Sequence, residues 1–130
     1  MILIIGGACQ GKREYALQLS GTDEKTFEEN LADGWRDKPQ KAMEKAYLIS
    51  FHGWVRQLAE EGLDPESFVR QILKNIPKIV TMDEIGCGIV PVERTERDYR
   101  EAVGHAGQML AEHASQVYRV VCGIPTKIKG

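Results

Sequence analysis

The chain has 130 residues, 42% hydrophobic and 28% charged, which suffices for one domain with its own core. With 17 Lys and Arg against 19 Asp and Glu its net charge is −2, so it has no basic stripe for non-specific nucleic-acid binding. No apolar run approaches the roughly 20 residues that span a bilayer. Cys9, Cys87 and Cys122 are too scattered for a zinc site or disulfide framework, and the expected setting is a reducing cytoplasm, with no signal peptide.

The apolar run Ile2-Leu3-Ile4-Ile5 predicts a buried strand and is followed at once by Gly6-Gly7-Ala8-Cys9-Gln10-Gly11-Lys12. A helix is expected over 13–19, with Tyr15, Ala16 and Leu19 on one face. Strand, glycine-rich turn and helix are what a phosphate-binding loop requires. Gly6 and Gly11 open backbone conformations closed to other residues, so successive N–H groups can converge on one anion, and Lys12 adds a point charge. The same pattern calls for Ser or Thr at the next position to bind Mg²⁺, where this chain has Arg13. The alternative for the loop taken alone is a tight turn between strand and helix that binds nothing.

Residues 20–45 are polar, with breakers at Gly21, Gly34 and Pro39, but Phe27, Leu31 and Trp35 recur every fourth residue and predict a short amphipathic helix. A second strand is expected over 46–50 and a helix over 54–61. Asp64 and Pro65 then read as the N-cap and first residue of a helix that buries Phe68, Val69, Ile72 and Leu73. Trp35 and Trp54 are expected as packing anchors.

The third strand, predicted over 78–82, ends at Asp83 and Glu84. An apolar strand ending in acids is what a P-loop enzyme uses beside the terminal phosphate, with Asp83 and Glu84 as candidate Mg²⁺ ligands. Strands also end in acids merely to satisfy turn N–H groups. A shaped loop, Gly86-Cys87-Gly88-Ile89-Val90-Pro91, leads to a helix over 93–114 that packs through Tyr99, Val103, Met109 and Leu110. Arg97 and Arg100 share one face of it and can reach an anion together; a solvated, salt-bridged face with Glu93, Glu96 and Glu101 is the alternative. His52, His105 and His113 have no metal-ligand spacing. A last strand over 116–122 and a short tail complete the chain. Strands alternating with helices predict an α/β fold, a parallel sheet with helices on both faces, in a single domain over 1–130.

These segments together resemble the adenosylcobinamide kinase / adenosylcobinamide-phosphate guanylyltransferase family. The resemblance runs through Gly6-Gly7-Ala8, Gly11-Lys12 and Tyr15-Ala16, and through Leu48 to Leu58. It is most specific from Asp83-Glu84-Ile85-Gly86 to Gly88-Ile89-Val90-Pro91, and continues through Arg97, Tyr99-Arg100-Glu101, Gly104 and Gln108 to Val120-Val121-Cys122-Gly123-Ile124-Pro125. It implies a P-loop NTPase-like fold, GTP or ATP with Mg²⁺, phosphorylation of a corrinoid side-chain hydroxyl, and a homo-oligomer, with a trimer favoured. Carried onto this chain, the nucleotide phosphates fall to Gly6, Gly7, Ala8, Cys9, Gln10, Gly11, Lys12 and Arg13. Catalysis falls to Lys12, Glu84, Arg97 and Arg100. The chain departs from the family at Arg13, at Asp83 (where Asn is usual), at Ile49 (where an acid is expected) and in a shortened 20–45 segment. No histidine occurs there to take up GMP, so the guanylyltransferase step is expected to be lost. A protein that binds nucleotide or corrinoid without catalysis is the alternative.

Overall fold

Leu3 and Ile4 point to opposite faces of one strand and both are buried, so β1 (Ile2–Gly6) lies inside a sheet covered on both sides. The computed structural model describes residues 1–84 and 93–130. Along the chain β1 is followed by α1 (Lys12–Ser20), α2 (Glu24–Glu29), β2 (Leu31–Asp33), α3 (Pro39–Ala42) and β3 (Tyr47–Ile49). Then come α4 (Phe51–Glu60), α5 (Pro65–Lys74), β4 (Ile79–Asp83), α6 (Arg94–His113), β5 (Gln116–Val121) and β6 (Ile124–Lys129).

Among the described residues the strands form one six-stranded sheet in the order β2-β3-β4-β1-β5-β6. Every neighbouring pair is parallel except β5 and β6. Leu3, Leu48, Val80 and Val117 face α4, α5 and α6, where they meet Trp54, Val69, Val103 and Leu110. Ile4, Ile49, Ile79 and Val120 face the other way, toward Ala16 of α1 and Phe27 of α2. The expected architecture, a parallel sheet with helices on both faces, is the one observed.

Asp64 caps α5 by accepting from the Glu66 N–H at 3.1 Å, with Pro65 as first helical residue, as expected. The 20–45 segment differs from expectation. Asp23 caps α2 by accepting from the Thr26 N–H at 2.7 Å, and the helix ends after Glu29. Leu31 and Ala32 then enter the edge strand β2, paired in parallel with Tyr47 and Leu48. The four-residue spacing of Phe27, Leu31 and Trp35 thus spans a helix, a strand and a turn. Trp54 is fully buried, but Trp35 is 60% exposed and anchors no core.

The chain end is also more ordered than a tail. Cys122 and Gly123 both have positive φ, 51° and 76°, and turn the chain so that Ile124 pairs antiparallel with Val121. All of β6 is exposed, so no buried alternation marks it in the sequence.

Candidate functional site

The polypeptide leaves β1 for α1 on one face of the sheet, whereas α6, the next described helix after β4, packs on the other. Because β1 and β4 are adjacent and parallel, a crevice opens at their carboxyl ends, the usual ligand position in an open α/β sheet. The glycine loop and Asp83 meet there.

Two glycines make the loop's path possible. Gly6 has φ 156°, and a Cβ there would stand 2.5 Å from the Val120 carbonyl oxygen. Gly11, with φ 97°, precedes the first residue of α1 and rests on Gly123. Gln10 ties the loop to the β5–β6 turn: its side-chain oxygen accepts from the Cys122 N–H at 2.6 Å and its carbonyl from the Gly123 N–H at 2.8 Å.

Lys12 is the buried cation of the site. Its Nζ donates to the Gly7 carbonyl at 2.5 Å and lies 2.8 Å from Asp83 Oδ1. The Asp83 backbone N–H donates to His52 Nδ1 at 3.0 Å, which leaves the neutral ring's proton on Nε2. That nitrogen lies 3.3 Å from Asp83 Oδ2, without the alignment of a hydrogen bond. His52 is buried, and burial pushes its pKa below the ordinary value despite the nearby Asp83 carboxylate. The ring is therefore neutral at pH 7, and Lys12 and Asp83 form the charged pair of the crevice.

Other candidate residues are engaged elsewhere. Glu84, the residue after β4, has a different partner from Asp83. Its carboxylate takes Arg119 of β5 in a two-point contact, Nε at 2.8 Å and Nη2 at 3.1 Å. Arg13 lines the cleft, but its guanidinium is held by Glu24 and Glu28 of α2, both at 2.8 Å, and lies over the Phe27 ring. The Glu24 hydrogen bond, foremost among these contacts, raises its pKa. The position expected to face a metal and the terminal phosphate therefore serves to dock α2 on α1. Arg97 and Arg100 lie in the first turns of α6, exposed and half-buried respectively. The Gly86-to-Pro91 block and Cys87 lie outside the described residues.

The loop opens onto a cleft of about 290 Å³, lined beyond Gly11 and Lys12 by Trp35, Ser50, Thr81 and Asp83. Ser50, between β3 and α4, has φ 55°, and its N–H is held by Thr81 Oγ1 at 3.0 Å. A larger cleft of about 620 Å³ among α4, α5 and α6, lined by Arg56, Leu63 and Tyr99, shares none of these residues. His52 and Trp35 are the site residues that spacing alone missed. The signal for His52 is its place just beyond the carboxyl end of β3, where a parallel sheet gathers its ligand-facing side chains.

Among the described residues no group of three or more His, Cys, Asp or Glu is arranged to hold a metal ion. Among them, too, no helix is long and apolar enough to cross a membrane.

Comparison with known proteins bears on this site directly. The family described as "Cobinamide kinase / cobinamide phosphate guanyltransferase" matches residues 52–128, a stretch that includes His52, Asp83, Glu84, Arg97 and Arg100 and begins after the glycine loop. The bifunctional adenosylcobalamin biosynthesis protein CobU of Escherichia coli (strain K12) is 37% identical over 79 residues, 58% of this chain and 44% of the relative. The protein of the same name from Salmonella typhimurium (strain LT2) is 43% identical over 51 residues, 39% of this chain and 28% of the relative. The matched stretches cover less than half the length of these relatives. With a family match over more than half of its length, on a mostly parallel sheet flanked by helices, the chain belongs to the cobinamide kinase / cobinamide phosphate guanyltransferase family and has its P-loop NTPase-like fold.

Proposed function

We propose that this chain binds GTP or ATP through the loop from Gly6 to Lys12 and phosphorylates a cobinamide-type alcohol in cobalamin biosynthesis. The observation that carries the reading is the contact of Lys12 with Asp83, 2.8 Å apart in the crevice between β1 and β4. Loop N–H groups cradle the phosphates, and Lys12 leaves Asp83 to neutralise the oxygens between the β- and γ-phosphorus atoms. Asp83, freed from Lys12 and braced by His52, accepts the proton of the attacking hydroxyl. The alcohol oxygen bonds to the γ-phosphorus as the bond to the β–γ bridging oxygen breaks. A phosphate monoester and a nucleoside diphosphate result. Arg97 and Arg100 are the candidates to offset developing negative charge.

Mg²⁺ does not fit the pair Asp83 and Glu84, because Arg119 holds Glu84 and the hydroxyl position is Arg13. No step is assigned to it. The same substitution supports a second reading, in which the loop binds nucleotide without turnover. The guanylyl transfer named in the family description lacks an acceptor histidine between Lys12 and Ser50, and we assign the chain no such step. As one domain it functions in the cytoplasm, in a homo-oligomer for which a trimer is favoured.

Incubation with cobinamide and GTP or ATP, with and without Mg²⁺, tests the reading by mass spectrometry of the corrinoid. The expected result is a mass gain of one phosphoryl group, reduced at least tenfold in rate by Asp83→Asn. Nucleotide binding with no product under any condition selects the second reading. Intact-protein mass after GTP treatment should show no GMP adduct.

A further inference from the structure

The turn after β2 presents an indole to solvent and is built to hold it there. Trp35 is 60% exposed, so most of its indole surface is open at the cleft. Its placement is fixed by the backbone. The Trp35 N–H donates to Asp33 Oδ1 at 2.8 Å, the Asp33 N–H to Asp37 Oδ2 at 2.9 Å, and the Gly34 N–H to the Ile49 carbonyl at 2.8 Å. The buried Trp54 donates its Nε1–H to the Asp37 carbonyl at 3.0 Å. Gly34 and Gly53 let the turn lie directly on the start of α4. A Cβ on Gly34 would stand 1.9 Å from the Ser50 carbonyl oxygen, and one on Gly53 would stand 2.5 Å from the Gly34 carbonyl. The indole meets the His52 ring edge to face, 5.2 Å between centroids, so one imidazole touches both Trp35 and Asp83. Trp35, Lys12 and Asp83 line a single cleft.

The sheet order gives this wall a direction. The phosphate loop follows β1, Asp83 ends β4, and Trp35 lies beyond them after β2, across β3. A phosphate chain entering from the loop has its terminal phosphorus toward Lys12 and Asp83, and the next group toward Trp35 is the one that receives the phosphoryl. We propose that Trp35 is the wall of the acceptor subsite and packs against the apolar surface of the alcohol that is phosphorylated. Trp35 is then a specificity residue, and the claim rests on the phosphoryl-transfer reading above for which ligand lies there.

Calorimetric titration of the wild type, Trp35→Phe and Trp35→Ala with cobinamide, GTP and inorganic tripolyphosphate tests the assignment. Loss of one apolar contact of this size predicts about 10- to 100-fold weaker cobinamide binding in Trp35→Ala, with most of the affinity retained in Trp35→Phe. GTP and tripolyphosphate should bind all three proteins equally. Because the side chain is exposed, the thermal midpoint of Trp35→Ala should stay at the wild-type value. Equal cobinamide affinity in wild type and Trp35→Ala overturns the proposal, as does a wild type that does not bind cobinamide. Weakening of GTP in place of cobinamide overturns it by putting the base against the indole. Failure of the phosphate loop reads out separately, as a wild type that ignores tripolyphosphate while cobinamide binding still depends on Trp35.

Discussion

Two turns flank the crevice, and both depend on a glycine pressed against a carbonyl oxygen. The turn after β1 rests on Val120 through Gly6, and the turn after β2 rests on Ser50 through Gly34. The first holds the Lys12 ammonium beside Asp83, whereas the second presents an indole. One is suited to a charged ligand and the other to an apolar face, and His52 and Asp83 lie between them. Close backbone packing is thus the shared device, and the side chain that each turn exposes sets its chemistry.

The comparison breaks most readily at the glycines. Gly6→Ala and Gly34→Ala should each destabilise the fold by about 3 kcal/mol, the upper range for forced overpacking. Urea unfolding reads this as a lowered midpoint. A near-native midpoint in either variant removes the claim that backbone contact holds that turn.

His52, between the two turns, sharpens the comparison through pH. Burial lowers its folded-state pKa, so below about pH 6.5 the unfolded chain takes up a proton that the folded chain resists. Its contribution to stability is complete above that pH and declines as pH falls toward the folded-state pKa, by at most about 1.4 kcal/mol per pH unit. Stability measured from pH 7.5 to 5 should therefore fall less steeply in His52→Asn. Identical slopes would exclude a buried neutral imidazole.

The smallest effect is expected at Arg13. Its partners Glu24 and Glu28 are largely exposed, so Arg13→Ser should cost only about 0.5 kcal/mol of stability, as exposed pairs do. Tripolyphosphate affinity should change little, since the guanidinium is already committed to α2. A drop above tenfold on calorimetric titration would mean that Arg13 turns to the phosphates when they bind.

The path of the turn after β1 is legible in the sequence because its information is consecutive: an apolar strand, glycines at fixed offsets, then Lys12 opening α1. The turn after β2 is not, because its meaning lies in Gly34 meeting Gly53 and in Trp54 reaching Asp37, contacts made only after folding. The pairing of His52 with Asp83 likewise joins residues 31 apart in the chain. The expectation that Asp83 and Glu84 act together could not foresee their separate ion partners, Lys12 and Arg119, which are remote in the chain. Strand β6 leaves no trace because none of its residues is buried.

Calorimetric titration of GTP into the wild type and Lys12→Ala tests the central claim most directly. Lys12 is the buried cation of the crevice, and in the proposed reading its loss removes a charge-assisted hydrogen bond to the phosphates. The account predicts binding weaker by about 1.5–3 kcal/mol, roughly 10- to 150-fold, in a variant that remains folded. Equal affinity in the two proteins would contradict it.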